Sequence, residues 1–325
     1  MDVLILEPLE AEVMQWLGGR YSVRYAPELA RNPRELRHVL YNIRALVLPS
    51  NVAVDPALLH YAPVLRAVGR VSGGAENIDV EACTRAGIEV VRSLTATAHA
   101  EAEFMIGALL SLLRRVPVEG ADGMLVGREL GACTVGLVGM APAAKVMVSM
   151  LSGFGSRVVG YDPSLHASEG LWNRWRVTPL GLRELLETSD AVCVQLSYFS
   201  RYHGLLGERF LPFCKPSQVI VSITHSGVFN EQALADVLIS GRVAAAWLDS
   251  VEPGALDEGN PLRGMDTLQI TPRVASTTRE SRLRSSWSVA RRIDELLSLT
   301  PAAPREFRRT GPGLPTDLSA APVPP

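Results

Sequence analysis

The sequence predicts an α/β protein built on doubly wound parallel sheets, and three observations predict it. Short β-branched runs that are apolar throughout alternate with longer amphipathic stretches, the pattern of parallel strands covered by helices on both faces. The stretch "TVGLVGMAPAAKVMVSMLSGFGSRVVGYDPS" reads as a strand, a tight turn, a helix and a second strand. The chain has 325 residues, 47% of them hydrophobic and only 20% charged, which suffices for two domains with substantial cores.

The elements follow in order. "DVLILEP" at the N-terminus reads as a first buried strand, with no cationic leader before it and no apolar run near the roughly 20 residues that span a bilayer, so a soluble, cytoplasmic protein is expected. "ALVLPS", "LRAVGRV", "IEVVRS", "TVGLVG", "RVVGYD", "AVCVQL", "QVIVSIT", "AAAWLD" and "LQITP" are the further strands. Between them lie helical stretches such as "AEAEFMIGALLSLLRR", beginning near Ala100, and "EQALADVLISG", which closes on Gly241 as helix C-termini often do. A last helix begins near "TTRESRLRSSWSVARRIDELL". There Thr277 and Glu280 are spaced as a capping box, Leu283, Trp287, Ala290, Ile293 and Leu297 repeat on one face, and the arginines form the solvated face. Residues 300–325, rich in Pro, Ala and Gly with few large apolar side chains, are expected to be a disordered tail.

The charge balance excludes some partners. With 32 basic against 34 acidic residues the formal charge is −2, so no global field favours nucleic acid or an anionic membrane, and a small-molecule partner is expected. Cys83, Cys133, Cys193 and Cys214 are far apart and make no C-x-x-C spacing, which points to buried reduced thiols. His99 and His203 have no second ligand at metal spacing, so no metal site is expected.

The strand-turn-helix unit carries specific chemistry. It has the layout of a dinucleotide-binding Rossmann-type unit, in which a pyrophosphate rests on a helix N-terminus and an acid at the end of the second strand, here Asp162, bonds the ribose hydroxyls. Asp162 would repel a ribose phosphate, so NAD(H) is favoured over NADP. Where G-x-G-x-x-G is expected the chain reads Gly139, Met140, Ala141, Pro142, Ala143, Ala144. Pro142 suits a first helical turn, whereas the Ala141 methyl sits where backbone should approach phosphate.

These motifs, with "GRVSGGAENIDVEACTRAGIEVV", "DAVCVQL", "SGVFNEQALADVLISGRVAAAWLD" and "NPLRGMDTLQITPRVASTT", resemble the D-isomer-specific 2-hydroxyacid dehydrogenases from Val3 to about Leu299. The resemblance implies a flavodoxin-like substrate domain, residues 1–98 plus 275–299, and a Rossmann-type NAD-binding domain, residues 99–274. It implies a homodimer joined through the NAD-binding domains and a small 2-hydroxy or 2-keto carboxylate as substrate. Substrate-binding backbone would come from Ser72, Gly73 and Gly74, and further cofactor contacts from Thr224 and Asp249. Gln195, Ser197 and Phe199 would border the nicotinamide, and Thr97 stands for the usual asparagine of the hinge loop.

The chain departs from the family at its three chemical side chains. The carboxylate-holding arginine corresponds to His225, the glutamate that partners the catalytic histidine to Gly254, and that histidine to Arg273. Hydride transfer to a keto acid needs a cation for the carboxylate and a group that exchanges a proton with the substrate oxygen. Arginine does not release protons in proteins, so it serves only the first need. The reading is therefore that the two positions have exchanged roles, with His225 the acid/base and Arg273 the anchor. Glu252, two residues away, is the candidate replacement for the missing partner. The sequence leans toward an NAD-dependent oxidoreductase. The alternatives are an enzyme using other groups and a catalytically inactive NAD(H)-binding regulatory or scaffold protein.

Overall fold

The structure, a computed structural model, describes residues 1–71, 74, 77–251 and 257–299. The expected tail, Ser72, Gly73, Glu252 and Gly254 lie outside the described residues.

Two parallel sheets carry the fold. The first is built from β1 (Val3–Ile5), α1 (Ala11–Gly18), β2 (Val23–Tyr25), α2 (Pro33–Val39), β3 (Ala45–Val47), α3 (Pro56–Leu59), β4 (Ala67–Arg70), α4 (Val80–Arg85) and β5 (Glu89–Arg92). Its order, β2-β1-β3-β4-β5, is the flavodoxin-like one. A long helix, α5 (Leu94–Arg115), and a short antiparallel hairpin, β6 (Val118–Glu119) with β7 (Leu125–Val126), lead into the second unit.

The second unit runs β8 (Thr134–Val138), α6 (Pro142–Phe154), β9 (Arg157–Tyr161), α7 (Gly170–Trp175), β10 (Thr178–Pro179), α8 (Leu182–Thr188), β11 (Ala191–Val194), β12 (Gln218–Ser222), α9 (Glu231–Ile239), β13 (Val243–Leu248) and β14 (Leu268–Ile270). All seven strands are parallel in the order β10-β9-β8-β11-β12-β13-β14. The first six follow the Rossmann order, with β14 added at one edge. The doubly wound α/β fold expected from the apolar runs is present in both sheets.

α10 (Arg279–Ser298) returns the chain to the first sheet. Its buried Val289, Ala290, Ile293 and Leu297 join Val3, Ile5, Ala45 and Val47 in one core, and Leu283 and Trp287 pack at its margin. Gly69 on β4 makes room, because a Cβ there would lie 2.8 Å from Val289 Cγ1.

Several expectations need correction. The capping box of α10 is one residue later than expected: Ser281 N–H donates to Thr278 Oγ1 at 3.0 Å, and Thr278 N–H donates to Ser281 Oγ at 3.1 Å. Thr277 instead donates its hydroxyl to the Arg273 carbonyl at 3.1 Å. Helix α5 begins at Leu94 rather than near Ala100, so Thr97 is a buried helical residue and not part of a hinge loop. α5 packs against α6 and α10, and tertiary packing of this kind overrides the weak helical preference of its β-branched first turn. The α10 arginines are not simply solvated, since Arg292 grips Glu89 with two bonds of 2.7 and 2.8 Å. β2 and β10 had no apolar run to betray them, being only partly buried.

All four cysteines are buried free thiols. Burial pushes Cys83 up to about 11 and Cys214 up to about 12, so neither is a ready nucleophile.

Candidate active site

The two halves of the larger sheet diverge at β8, which has β9 on one side and β11 on the other. In such sheets the crevice at the carboxyl ends of the diverging strands is the natural ligand site. Gly139 ends β8 with φ +98°, and a Cβ there would fall 2.6 Å from the Leu196 backbone, so only glycine lets the two strand ends pass. Met140 N–H donates to Asp162 Oδ2 at 2.8 Å, while Ser164 donates its N–H at 2.8 Å and its hydroxyl at 2.6 Å to Asp162 Oδ1. Asp162 therefore holds the turn against the end of β9.

Ala141 has φ −63° and ψ 168°, an extended backbone that alanine adopts without strain. Pro142 is the first helical residue of α6, and no side chain caps that helix. Its N-terminus borders a cavity of about 380 Å³ lined by Met140, Ala141, Asp162, Ser197, Phe199 and Arg201. On the other side of the turn a cavity of about 340 Å³ is lined by His99, Pro142, Lys145 and Trp175. An uncapped helix N-terminus with an acid at the next strand end fits a pyrophosphate and its ribose, so these residues fit a nicotinamide dinucleotide. Ala143 is buried in this first turn.

The ends of β12, β13 and β14 bear the groups marked for chemistry. Thr224 is buried, and its hydroxyl donates to the Leu196 carbonyl at 3.2 Å, tying β12 to β11. Half-buried His225 follows and caps a short helical turn, Ser226–Val228, where its Nδ1 accepts the Gly227 N–H at 3.3 Å. The Tyr198 ring stacks on His225 with centroids 4.4 Å apart and planes 20° apart. Tyr198 Oη lies 3.2 Å from His203 Nδ1.

Asp249 ends β13, only 4% exposed, and its carboxylate organises the loop after β14. Oδ1 accepts the Thr271 hydroxyl at 2.6 Å and the Val274 N–H at 2.9 Å, and Oδ2 accepts the Ala275 N–H at 2.8 Å. Within that loop Arg273 takes a left-handed backbone, φ +57°, with its N–H donating to the Asp249 carbonyl at 2.7 Å. The exposed Arg273 side chain donates Nε–H to Ser250 Oγ at 3.1 Å. β13 lies between β12 and β14, so the turn of His225 and the loop of Arg273 stand about two strand spacings apart, roughly 10 Å, along one sheet edge.

Other sequence-marked residues are placed differently. Gln195 is buried, with its amide nitrogen 4.0 Å from Met147 Sδ of α6. Phe199 is 54% exposed and lies beneath Arg201 at 4.9 Å, on the Asp162 side of the crevice. Gly74 is half-buried. The base of its loop is anchored by buried Arg70, which donates to Asn77 Oδ1, while Asn77 donates to the Val52 carbonyl. Among the described residues no cluster of His, Cys, Asp or Glu is suited to a metal.

Sequence reasoning passed over Glu101. It lies one turn beyond Thr97 on α5, and burial first, then the Asp249 charge, pushes its carboxyl above the usual range, partly offset by a hydrogen bond with Thr97. A glutamate inside "AEAEFMIGALLSLL" was the available signal, since it falls on the buried side of a long apolar helix.

Comparisons with known proteins agree with the fold. The family model described as "D-isomer specific 2-hydroxyacid dehydrogenase, NAD binding domain" matches residues 112–275. The (S)-sulfolactate dehydrogenase of Chromohalobacter salexigens is 31% identical over 294 residues, covering 88% of this chain and 95% of that one. The D-3-phosphoglycerate dehydrogenase of Mycobacterium bovis is 30% identical over 301 residues, and although 90% of this chain is covered, it spans only 56% of that relative's length. Among solved structures the TT0316 protein of Thermus thermophilus has a similar fold, with a TM-score of 0.76 at 24% identity over 94% of this chain and 99% of that one.

Proposed function

The chain belongs to the D-isomer specific 2-hydroxyacid dehydrogenase family, and from that premise we propose that it is an NAD(H)-dependent oxidoreductase acting on a small 2-hydroxy or 2-keto carboxylate. The observation that carries this reading is the β8–α6 turn: a left-handed Gly139, an uncapped helix N-terminus and Asp162, grouped at the divergence of a parallel sheet. The comparisons lend no support to an inactive scaffold.

In this reading Gly139, Met140, Ala141, Pro142 and Ala143 form the pyrophosphate seat and Asp162 faces the adenosine ribose, so NAD(H) is taken in preference to NADP(H). The bound cofactor supplies the hydride. The protein's own task is to hold the carboxylate and manage charge on the substrate oxygen. Arg273, pinned in its loop by Asp249, is the carboxylate anchor, assisted by the backbone of Ser72, Gly73 and Gly74. His225 is the group at the substrate oxygen. Thr224 and Asp249 serve the cofactor indirectly, by fixing the strand ends at the chemical end rather than through free side-chain groups.

Residues 1–98 with 275–299 form the substrate domain and 99–274 the NAD-binding domain, which support for α10 on the first sheet favours. A homodimer through the NAD-binding domain would cover the exposed Leu110, Met124, Leu125 and Val126 of that domain. Four buried free thiols suit a cytoplasmic location, and no described helix is long and apolar enough to cross a membrane.

The test is titration with NADH and NADPH by fluorescence and thermal shift, then turnover of a panel of small 2-keto acids by the parent, Arg273→Ala and His225→Ala. NADH binding tighter than NADPH binding is expected. Arg273→Ala should raise KM roughly 10- to 100-fold, and His225→Ala should lower kcat roughly 10²- to 10⁴-fold. No shift with either nucleotide would refute the oxidoreductase reading.

A further inference from the structure

The cavity beside the β8–α6 turn has a charge imbalance that its backbone does not correct. Its lining joins Met140 and Ala141 of the turn to Asp162 and, from the loop after β11, to Phe199, Arg201 and Tyr202. A nicotinamide dinucleotide brings two negatively charged phosphates, and Asp162 adds a further negative charge to the same cavity of about 380 Å³. Against these, the uncapped N-terminus of α6 offers the equivalent of only about half a positive charge. Among the described residues that line the cavity, Arg201 is the one cation. Asp162 does not neutralise it, because both carboxylate oxygens accept donors from Met140 and Ser164 and no ion pair joins Asp162 to Arg201.

The Arg201 guanidinium is fixed in place before any ligand arrives. It lies 4.9 Å from the Phe199 ring centre and 4.8 Å from that of Tyr202, and its Nη2–H donates to the Tyr202 hydroxyl at 2.9 Å. The two rings meet edge to face with centres 6.0 Å apart, and Tyr202 is buried in the core beneath β11, so the platform is anchored. A guanidinium has five N–H donors, so the one given to Tyr202 leaves four, in the planar fork that grips phosphate oxygens in pairs.

We propose that Arg201 is a cofactor-binding residue that clamps the dinucleotide's pyrophosphate from the loop after β11, with Phe199 and Tyr202 as the platform that holds it. The arginine offsets the Asp162 charge, which otherwise opposes any phosphate in the cavity, and leaves the helix N-terminus to bind the phosphates through backbone N–H groups. The proposal rests on reading the β8–α6 turn as a nucleotide seat, but binding is measurable without any turnover.

The experiment measures the affinity of the full chain for NADH, NADPH, ADP and adenosine, by fluorescence for the reduced nucleotides and ligand-observed NMR for the others, at low and at high salt. It is run on the parent, Arg201→Gln and Arg201→Lys, with melting temperatures as the check on folding. In Arg201→Gln the affinities for NADH and ADP should fall by the same factor, roughly tenfold to thirtyfold, the size of a lost charge-assisted contact, while adenosine binding is unchanged. The loss of ADP affinity on adding salt should also be shallower than in the parent. Arg201→Lys should recover only part of the affinity, because an ammonium keeps the charge without the planar fork. Unchanged NADH and ADP affinity in Arg201→Gln overturns the clamp. So does an equal loss for adenosine, which would make Arg201 a stacking surface for the base, or a loss confined to NADPH, which would assign it to a ribose phosphate. A parent that binds none of the nucleotides refutes the oxidoreductase reading together with the clamp, whereas a parent that binds them regardless of Arg201 refutes the clamp alone.

Discussion

The two ends of the crevice along the larger sheet are built on different terms. At the nucleotide end the work is done by backbone: the positive φ of Gly139, the free N-terminus of α6 and a carboxylate that holds the turn. At the chemical end, in the proposed reading, it is done by side chains, with His225, Gly254 and Arg273 standing where the family pattern has Arg, Glu and His. The difference teaches that a function carried by main-chain geometry tolerates substitution wherever the new residue keeps the same φ and ψ. One carried by side-chain chemistry has to be rebuilt around each replacement.

The largest effect should come from attacking that backbone. Gly139→Ala forces a methyl against the Leu196 backbone at a φ that alanine resists, so it should cost about 3 kcal/mol or more and abolish NADH binding, as read by denaturation and fluorescence. Ala141→Gly, at an ordinary extended conformation, should change stability and NADH affinity by no more than about 1 kcal/mol. If Ala141→Gly instead strengthens NADH binding more than tenfold, the methyl obstructs the phosphate and the comparison breaks.

A smaller effect should follow at the chemical end from Asp249→Asn. Asparagine keeps one acceptor oxygen and turns an NH₂ toward donors, so the bonds from Thr271, Val274 and Ala275 cannot all be retained. A loss of about 2–3 kcal/mol in urea denaturation is expected, together with a raised KM for keto acid because the strained Arg273 backbone loses its support. Unchanged KM despite the lost stability would show that Arg273 does not depend on that loop.

How much of this was legible in the sequence follows the same division. All strands of both sheets but β2 and β10 could be read, because strands covered on two faces are apolar throughout, as "TVGLV" and "AVCV" are. The start of α5 could not, since "LTATA" is weakly helical on its own and is held in the helix by tertiary packing. At the site, Gly139 and Asp162 were visible because fixed spacing follows the β-α-β unit. The Tyr198–His225 stack was not, because it joins two loops through contacts that no local pattern encodes, and the burial of Thr224 and Glu101 depends on neighbours far along the chain.

Glu101 lies where α5 approaches the chemical end, and it sharpens the comparison by pH. Its folded-state carboxyl is raised above the ordinary value of 4.5, chiefly by burial and then by the Asp249 charge. The folded state thus holds the proton more tightly than the unfolded chain, so the stabilisation linked to this group is fully present below pH 4.5 and is lost as pH rises through the folded value. Glu101→Gln is neutral throughout and keeps a partner for Thr97. Its melting temperature should match the parent near pH 4 and exceed it by about 2–3 °C at pH 8. A difference that is the same at both pH values would show that the glutamine acts through packing and that the Asp249 charge does not reach α5. If the pH-dependent gain appears but keto-acid turnover falls with it, the carboxyl is a working part of the chemical end, one that the strand-end motifs alone would never have located.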